Sequence, residues 1–288
     1  MNKAIEVMLA KYSPSTLSDY ERALTEIFQE LALLGLWRSK FFEHAAFYGG
    51  TALRILHGLD RFSEDLHFSL MSPQADFNLN PHLEFIQREL SSWGFHVSIT
   101  QKTKTFESRI ESAFQKSDTR TQLLEIEVPE PIAQLIPKGK KLSIKVELDT
   151  DPPGAFSTTT PFLLKPIPFS VRTYTLESAF AGKMHAVLCR NWKNRVKGRD
   201  WYDFQWFVMH GIPCDLTHLS ERMHQSGHLP DTVSLTPESF RALLDKRIDT
   251  VNLAAAKQDL VPFLTNPHTI TAWSSDLFKH LADTCQTT

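Results

Sequence analysis

The chain has 288 residues, of which 42% are hydrophobic and 22% charged, enough apolar material for a core in one large domain or two. A net charge of −2 and three cysteines without CxxC spacing argue against a strongly basic nucleic-acid-binding chain, a disulfide framework and a zinc site. Because the sequence contains no apolar run long enough to cross a membrane, we expect a cytoplasmic protein without membrane contact.

Helical and strand patterns alternate through the first 170 residues, which predicts a mixed α/β segment. Apolar periodicity predicts helices over 17–34, from Thr51 onward and over 82–93. Alternation of polar and apolar residues predicts strands at 65–70, near Val97, near Phe106 and at 142–149. Five prolines between residues 151 and 168 then mark loops.

The pattern after Tyr174 is nearly all helical. Helix starts are predicted at Thr175, Arg199, Thr236 and Pro267, where capping residues or a first-turn proline precede apolar periodicity. We therefore predict the α+β class, with a mixed α/β domain over residues 1–170 and a mainly helical domain over 171–288.

Two of the predicted strands carry their polar residues on one face. In the first strand these are Asp65, His67 and Ser69, and in the strand at 142–149 they include Lys145, Glu147 and Asp149. If the strands are neighbours, three carboxylates and a histidine line one cleft, as in enzymes that hold two metal ions roughly 3.5–4 Å apart. An ordinary sheet with one solvated face gives the same alternation, so neither strand decides the question alone.

The glycine pair Gly49-Gly50 precedes the helix that is predicted to begin at Thr51. Glycines let backbone N–H groups approach a phosphate closely, and the N-terminus of a helix favours negative charge. Together with Asp65, which follows in the next strand, this arrangement predicts a metal-assisted nucleotide site.

Several segments together resemble the AbiEii/AbiGii-type nucleotidyltransferase toxins, a branch of the polymerase-β-like nucleotidyltransferase superfamily. The resemblance rests first on Gly-Gly-Thr-Ala-Leu-Arg at 49–54 and Arg-Phe-Ser-Glu-Asp at 61–65. It extends to Lys-Val-Glu-Leu-Asp at 145–149, Ala-Gly-Lys-Met-His-Ala at 181–186 and Arg-Asp-Trp-Tyr-Asp at 199–203. In all, it spans residues 45–210.

The resemblance implies a polymerase-β-like mixed sheet flanked by helices, and transfer of a nucleoside monophosphate from an NTP to a hydroxyl. It implies Mg²⁺ or Mn²⁺ as cofactor, a tRNA 3′ end or other RNA as acceptor, and a cognate antitoxin. The implied catalytic residues are Asp65, Lys183 and Asp200. The implied nucleotide-binding residues are Gly49, Gly50, Thr51, Arg54, Lys145 and Lys183. The polar strand faces predict Asp65 and Glu147 as metal ligands, with His67 or Asp149 completing the set.

His67 departs from the family pattern, because relatives commonly carry Asp-x-Asp on this strand. Mg²⁺ prefers oxygen ligands, and a neutral imidazole is a poor substitute for a carboxylate. Three consequences stay open: the site uses Mn²⁺, Glu64 or Asp149 supplies the missing oxygen, or the enzyme is weakened. His67 can also be an ordinary surface residue of the strand.

Lys183 interrupts the apolar stripe expected for the helix that starts at Thr175. Its stem can be buried while its ammonium stays in water. Alternatively, it reaches the cleft and neutralises triphosphate charge, the role that the resemblance implies.

Asp200 and Asp203 share a face of the helix predicted from Arg199. Acids in a first turn can simply stabilise the helix N-terminus. In the family pattern, the first acid is counted with the active site, which implies that Asp200 orients Lys183 or acts as a base toward the acceptor hydroxyl.

Two further features lie in the C-terminal part. Residues 190–199 contain five cations and no acidic residue, and they either form a solvated loop or bind phosphates. The cations are Arg190, Lys193, Arg195, Lys197 and Arg199. His224 and His228 are four residues apart, but no third ligand accompanies them in sequence, which argues against a metal site there.

A second hypothesis is a non-catalytic relative. In this reading, the chain keeps the fold and binds nucleotide or RNA, but lost turnover when the second aspartate of the pattern became His67. No residue identifies the preferred nucleobase of the NTP or the acceptor molecule.

Overall fold

A computed structural model describes residues 3–101, 119–127, 141–190 and 196–288. The predicted strand near Phe106 and the cations Lys193 and Arg195 lie outside these residues. The helices of the described part are α1 (Lys3–Ala10), α2 (Leu17–Arg38), α3 (Gly50–His57), α4 (Asn80–Ser92), α5 (Leu176–Cys189), α6 (Gly198–Met209), α7 (Leu216–Gln225), α8 (Pro237–Thr250), α9 (Leu253–Leu260) and α10 (Ser275–Thr284). Its strands are β1 (Ala45–Tyr48), β2 (Leu66–Leu70), β3 (His96–Gln101), β4 (Thr119–Glu127), β5 (Lys141–Asp149), β6 (Thr158–Thr159), β7 (Phe162–Leu163), β8 (Phe169–Ser170) and β9 (Thr173–Tyr174).

The predicted α+β class is confirmed, since helices flank a mixed sheet and the described chain after β9 is helical. The chain divides into two compact units. The first comprises the described residues of Met1–Leu56, Glu64–Pro152 and Thr160–Thr173, and the second those of His57–Ser63, Pro153–Thr159 and Tyr174–Thr288. The predicted division into domains of residues 1–170 and 171–288 stays a prediction. Within the second unit, the short segments 57–63 and 153–159 precede its long continuous part.

The sheet of the first unit runs in the order β3-β4-β5-β2-β1, and β1 continues to Thr173 of β9. The pairs β3-β4, β4-β5 and β1-β2 are antiparallel, whereas β2-β5 and β1-β9 are parallel. The predicted alternation of β5 is confirmed, because its apolar side chains are buried: Leu142, Ile144, Val146 and Leu148. This alternation leaves the polar side chains of β5 on the opposite face.

Helix α2 is the longest helix of the described chain, and it lies in the core of the first unit. A capping box fixes its start, since the Thr16 hydroxyl accepts from the N–H of Asp19 and the Asp19 carboxylate accepts from the N–H of Thr16. Its inner turns bury two polar residues, Gln29 and Glu30, beside the apolar ones. Gln29 donates to the carbonyl of Glu64 at 2.9 Å, just before β2.

Glu30 is a buried carboxyl group that is only 4% exposed. Among the described residues, its Oε2 has no hydrogen-bond partner. Burial raises the pKa of Glu30 to about 7, although the charge of Lys165 lowers it in part. The folded unit therefore binds this proton more tightly than the unfolded chain does.

We expect the free energy of unfolding to fall as pH rises from about 4.5 to 7, because ionised Glu30 is penalised only in the folded state. The loss from this group is roughly 3 kcal/mol at most. Glu30→Gln should remove this pH dependence, as measured by urea unfolding at several pH values. The exposed Glu6→Gln is the matched control and should follow the wild type. Parallel stability curves for wild type and Glu30→Gln would contradict the prediction.

The second unit is built from α5 to α10 around an aromatic core. The rings of Phe180 and Phe207 stack at 4.6 Å, and Phe278 packs against Phe204 at 6.2 Å. The segment 57–63 joins this unit through Phe62, whose N–H donates to the carbonyl of Phe263 at 2.8 Å. No helix of the described residues is long and apolar enough to span a membrane.

Three of the four predicted helix starts in this unit are confirmed to within one residue. Thr175 and Thr236 are N-caps, and α6 begins at Gly198, next to Arg199. The start at Pro267 is wrong, because Pro267–Ile270 is a 3₁₀ turn and α10 begins at Ser275. Threonine hydroxyls of this turn bond to carbonyls three residues back, which competes with helix propagation.

Candidate active site

The turn between β1 and α3 lies beside the start of β2. Tyr48 is opposite His67 in the antiparallel pair, so the glycines that follow Tyr48 run back toward Asp65. Gly49 has a φ of +88°, a conformation that favours glycine. A Cβ atom there would also lie 3.3 Å from Cδ2 of His67. The backbone conformation therefore favours glycine at this position, and a larger residue would press on the His67 ring.

Thr51 and Arg54, predicted as nucleotide-binding residues, make contacts within the first unit. The buried Thr51 hydroxyl donates to the carbonyl of Asp65 at 2.5 Å. Arg54 donates to the carboxylate of Glu26 on α2 at 2.7 Å. Thr51 thus ties the first turn of α3 to the backbone of Asp65, and Arg54 ties the helix to α2.

The parallel register of β2 and β5 brings four predicted residues together. Leu66 is opposite Val146 and His67 is opposite Glu147, so Asp65 lies level with Lys145. His67 Nδ1 is 3.0 Å from Oε2 of Glu147, and the Lys145 ammonium contacts Oε1 of the same carboxylate. The ammonium is also 4.0 Å from Oδ2 of Asp65. We call Asp65, His67, Lys145 and Glu147 the strand cluster.

The charges of the strand cluster are strongly coupled. Burial raises the pKa of Glu147, but the hydrogen bond and charge of His67 and the Lys145 ammonium outweigh it, leaving this pKa at about 2. Burial lowers the pKa of Lys145, but its contacts with Glu147 and then the charge of Asp65 raise it above the ordinary value. Glu147 is therefore ionised at neutral pH and already paired through both oxygens. Asp65, 34% exposed, is the more open carboxylate.

Asp149, the fourth predicted metal ligand, lies apart from Asp65. It is opposite Ser69, four residues further along the parallel register than Asp65. At about 3.3 Å per residue, the two positions are roughly 13 Å apart along the strands. Its carboxylate accepts from the N–H of Asp151 at 3.1 Å. The structure therefore does not bring Asp149 and Asp65 to one ion.

The ligands of the strand cluster fit one borderline divalent ion better than a pair of Mg²⁺ ions. Mg²⁺ prefers an octahedral shell of oxygens, and only the Asp65 carboxylate is open. Because Nδ1 of His67 faces Glu147, Nε2 is the ring nitrogen left for an ion. Metal-binding histidines commonly pair their other nitrogen with a carboxylate in this way. Asp65 and His67 would suit Mn²⁺, which accepts imidazole.

Lys183, Asp200 and Asp203 form a second group, within the second unit. The Lys183 ammonium is 2.6 Å from Oδ2 of Asp203 and 3.8 Å from Oδ1 of Asp200. Arg61 binds the Asp203 carboxylate through two hydrogen bonds of 2.6 Å. Arg190 approaches Asp200 at 3.3 Å. The predicted face shared by Asp200 and Asp203 is thus the face that holds Lys183.

The centre of this second group is fully buried. Burial raises the pKa of Asp203, but Arg61 and Lys183 outweigh it and lower this pKa below its ordinary value. Burial alone would lower the pKa of Arg61, yet Asp203 raises it. Burial, with the nearby Arg190, lowers the pKa of Lys197 to about 8. Asp203 and Arg61 therefore form a charged, bidentate pair that positions the Lys183 ammonium.

Sequence reasoning left Arg61 out of the site and treated Asp203 as secondary to Asp200. Arg61 and Asp203 are 142 residues apart, and no local periodicity links them. One sequence feature could have indicated their role: Arg61 lies in the family-like segment 61–65 and Asp203 in the family-like segment 199–203. From the basic run, the described Arg190 contacts Asp200, and Arg199 stacks on the Phe263 ring at 4.0 Å.

Comparisons with known proteins give a family and a fold. A family model described as the nucleotidyl transferase AbiEii toxin of a type IV toxin–antitoxin system matches residues 31–279. The structure of JHP933 from Helicobacter pylori is similar, with 16% identity, a TM-score of 0.52, and 90% of this chain and 89% of that chain covered. A candidate nucleotidyltransferase from H. pylori has 16% identity and a TM-score of 0.48, with 91% of this chain and 93% of that chain covered. No curated protein sequence matches significantly.

The likeness to JHP933 concerns the fold alone, because its sequence identity is 16%. The family match is broader evidence, since it covers most of the chain, including the strand cluster and the group around Lys183. The chain belongs to the AbiEii nucleotidyl transferase toxin family.

Proposed function

We propose that this protein transfers a nucleoside monophosphate from an NTP to a hydroxyl acceptor. One observation supports the proposal most: the Gly49-Gly50 turn and Asp65 lie side by side, and the Thr51 hydroxyl ties them together at 2.5 Å. Backbone N–H groups at the start of α3 suit a triphosphate, and an adjacent carboxylate suits the divalent ion that accompanies it. Family membership supports the same chemistry.

In the proposed reaction, the acceptor oxygen bonds to the α-phosphorus of the NTP. The bond from that phosphorus to the bridging oxygen of the β-phosphate breaks, and pyrophosphate leaves with the electron pair. The acceptor proton passes to a base, and Asp200, which the family pattern counts with the active site, is our candidate for this role. A divalent ion, when bound, would neutralise phosphate charge and make the acceptor hydroxyl more acidic.

The chain's own residues have separate roles in this proposal. Gly49 and Gly50 present N–H groups to phosphate oxygens, and Asp65 with His67 holds the ion. Lys145 balances the Glu147 carboxylate, which in turn fixes the orientation of the His67 ring. Lys183 and Asp200 stay predicted participants, on the basis of the resemblance.

The decisive experiment uses NTPs that carry the label on either the α- or the γ-phosphate. The full chain is incubated with each NTP, total RNA, and Mg²⁺ or Mn²⁺. The proposal predicts that the α-label enters an acceptor while the γ-label leaves as pyrophosphate. Transfer of the γ-label would overturn it in favour of phosphoryl transfer.

We further propose that the acceptor is RNA, with a tRNA 3′ end as the first candidate, and that a cognate antitoxin opposes the resulting growth arrest. Membership of a family of toxins from type IV toxin–antitoxin systems supports the toxin role. Fractionation of the labelled RNA identifies the acceptor. Label confined to protein or small molecules would contradict the RNA assignment.

The second candidate is a nucleotide- or RNA-binding protein without turnover. Two observations favour it: His67 stands where the pattern has a second aspartate, and Glu147 pairs through both oxygens. Under this hypothesis, the same assay detects NTP binding but no transfer in either metal.

Substituting His67 should change the metal preference. We expect wild type to transfer faster with Mn²⁺ than with Mg²⁺, and His67→Asp to shift the ratio of the two rates toward Mg²⁺ by roughly 10-fold or more, since a carboxylate suits Mg²⁺ better than imidazole. Initial rates in both metals measure the shift. The matched control is the exposed His96→Asp, which should leave the ratio unchanged. Equal ratios in wild type and His67→Asp would show that His67 is not a ligand.

A further inference from the structure

Three potential metal ligands converge in the second unit, on residues that the proposed transfer does not use. Their ligand atoms, from His185, Cys189 and His228, all lie within 4.8 Å of one another. His185 and Cys189 are four residues apart on α5 and so share a helix face. His228 follows the end of α7. Two nitrogens and one sulfur form a set typical of zinc rather than of Mg²⁺.

The turn after α7 fixes the position of His228. Gly227 has a φ of +70° and its N–H donates to the carbonyl of His224, while the N–H of His228 donates to the carbonyl of Met223. These two bonds are the Schellman motif that ends many helices. The backbone of His228 is therefore held by the helix end and does not depend on a loose loop.

The two imidazoles point to a common place. Nε2 of His185 and Nδ1 of His228 lie 2.8 and 2.9 Å from the same hydroxyl oxygen, that of Ser226. The rings are nearly perpendicular, with an interplanar angle of 88°. Both contacts bring ring nitrogens together at the end of α7, beside the helix face that carries Cys189.

We propose that His185, Cys189 and His228 bind one Zn²⁺ ion, with water or the Ser226 hydroxyl as the fourth ligand. Tetrahedral zinc holds nitrogen and sulfur ligands roughly 3.4–3.6 Å apart. The present separations of up to 4.8 Å thus require side-chain shifts of about 1 Å. His228 is exposed and can make such a shift, while Cys189 is fixed in the interior.

The burial of Cys189 and the charges near it affect the affinity of the proposed site for Zn²⁺. Burial raises the pKa of the Cys189 thiol to about 12, although Arg222 and Arg247 lower it in part. Zinc binding must break the S–H bond and release its proton to solvent, leaving a thiolate. The buried thiol resists ionisation and the two arginines repel the cation, so we expect a site weaker than a four-ligand structural zinc site.

Cobalt(II) is the probe, because a thiolate bound to Co²⁺ gives a near-ultraviolet charge-transfer band that oxygen and nitrogen ligands do not give. The full chain, first freed of metal with a chelator, is titrated with Co²⁺. We expect one equivalent to produce the band and excess Zn²⁺ to bleach it. Cys189→Ser should abolish the band, and His228→Ala should weaken Co²⁺ binding at least 10-fold.

The chain provides matched controls. Cys285→Ser removes a different thiol, and His224→Ala removes a histidine of α7 outside the trio, whose Nε2 lies 2.6 Å from the carbonyl of Val233. Both should bind Co²⁺ as wild type does. Zn²⁺ should raise the melting temperature of wild type more than that of His228→Ala, whose exposed position favours normal folding. The absence of a band in wild type, or its persistence in Cys189→Ser, would overturn the proposal.

Discussion

Asp65→Asn should lower nucleotide transfer by roughly 100- to 1,000-fold, the scale on which the loss of one charge-stabilising group acts. The amide keeps the shape of the side chain but removes the open carboxylate of the strand cluster. The hydrogen bond from the Thr51 hydroxyl to the backbone carbonyl of Asp65 remains, so the start of β2 should keep its position. Transfer of α-labelled NTP to the acceptor measures the effect.

Folding and activity can be separated for this variant. Asp65 is about one third exposed and the Lys145 ammonium is 4.0 Å away, so we expect little change in the free energy of unfolding. Asp76→Asn is the matched control, because Asp76 is an exposed aspartate outside the cluster. Normal transfer by Asp65→Asn would exclude the strand cluster as the metal site.

Asp203→Asn should have the largest effect on stability, a loss of roughly 3–5 kcal/mol in the free energy of unfolding. The reason is that Arg61, only 2% exposed, would keep its charge without the carboxylate that binds it. Lys183 would lose its nearest carboxylate as well. Urea unfolding of the full chain measures the loss.

Two comparisons test this explanation. The double variant Arg61→Met with Asp203→Leu should recover much of the loss, because an apolar pair avoids burying charge. Asp249→Asn breaks the exposed ion pair with Lys279 and should cost less than about 1 kcal/mol. An equally small loss for Asp203→Asn would show that Arg61 finds another partner or reaches solvent.

Local patterns predicted those elements whose faces differ in polarity. Strand β5 was predicted because one of its faces is apolar. Helix α2 was predicted from apolar periodicity, and it extends only four residues beyond its predicted end. Strand β1 was missed, since its Ala-Ala-Phe-Tyr sequence is almost wholly buried and does not alternate. The contacts of the Thr51 hydroxyl and of Arg54 depend on tertiary packing and were likewise outside the reach of periodicity.

The strand cluster was predictable in part, because alternation assigned Asp65, His67, Lys145 and Glu147 to polar faces. The register between β2 and β5 was not predictable, since strand pairing is set by contacts distant in sequence. That register decides which acid meets which partner: Glu147 lies opposite His67, and Asp149 lies roughly 13 Å from Asp65 along the strands. The second group depends likewise on the long-range pairing of Arg61 with Asp203.

The membership of residues 57–63 in the second unit limits how the chain can be divided. A fragment that begins at residue 171 would contain Asp203 and Lys183 but not Arg61, the cation that neutralises the buried carboxylate. Such a fragment should not fold alone, even though its helices are continuous in sequence. Gene fusion or exchange of the C-terminal half between relatives would therefore succeed only when the segment before β2 is exchanged with it.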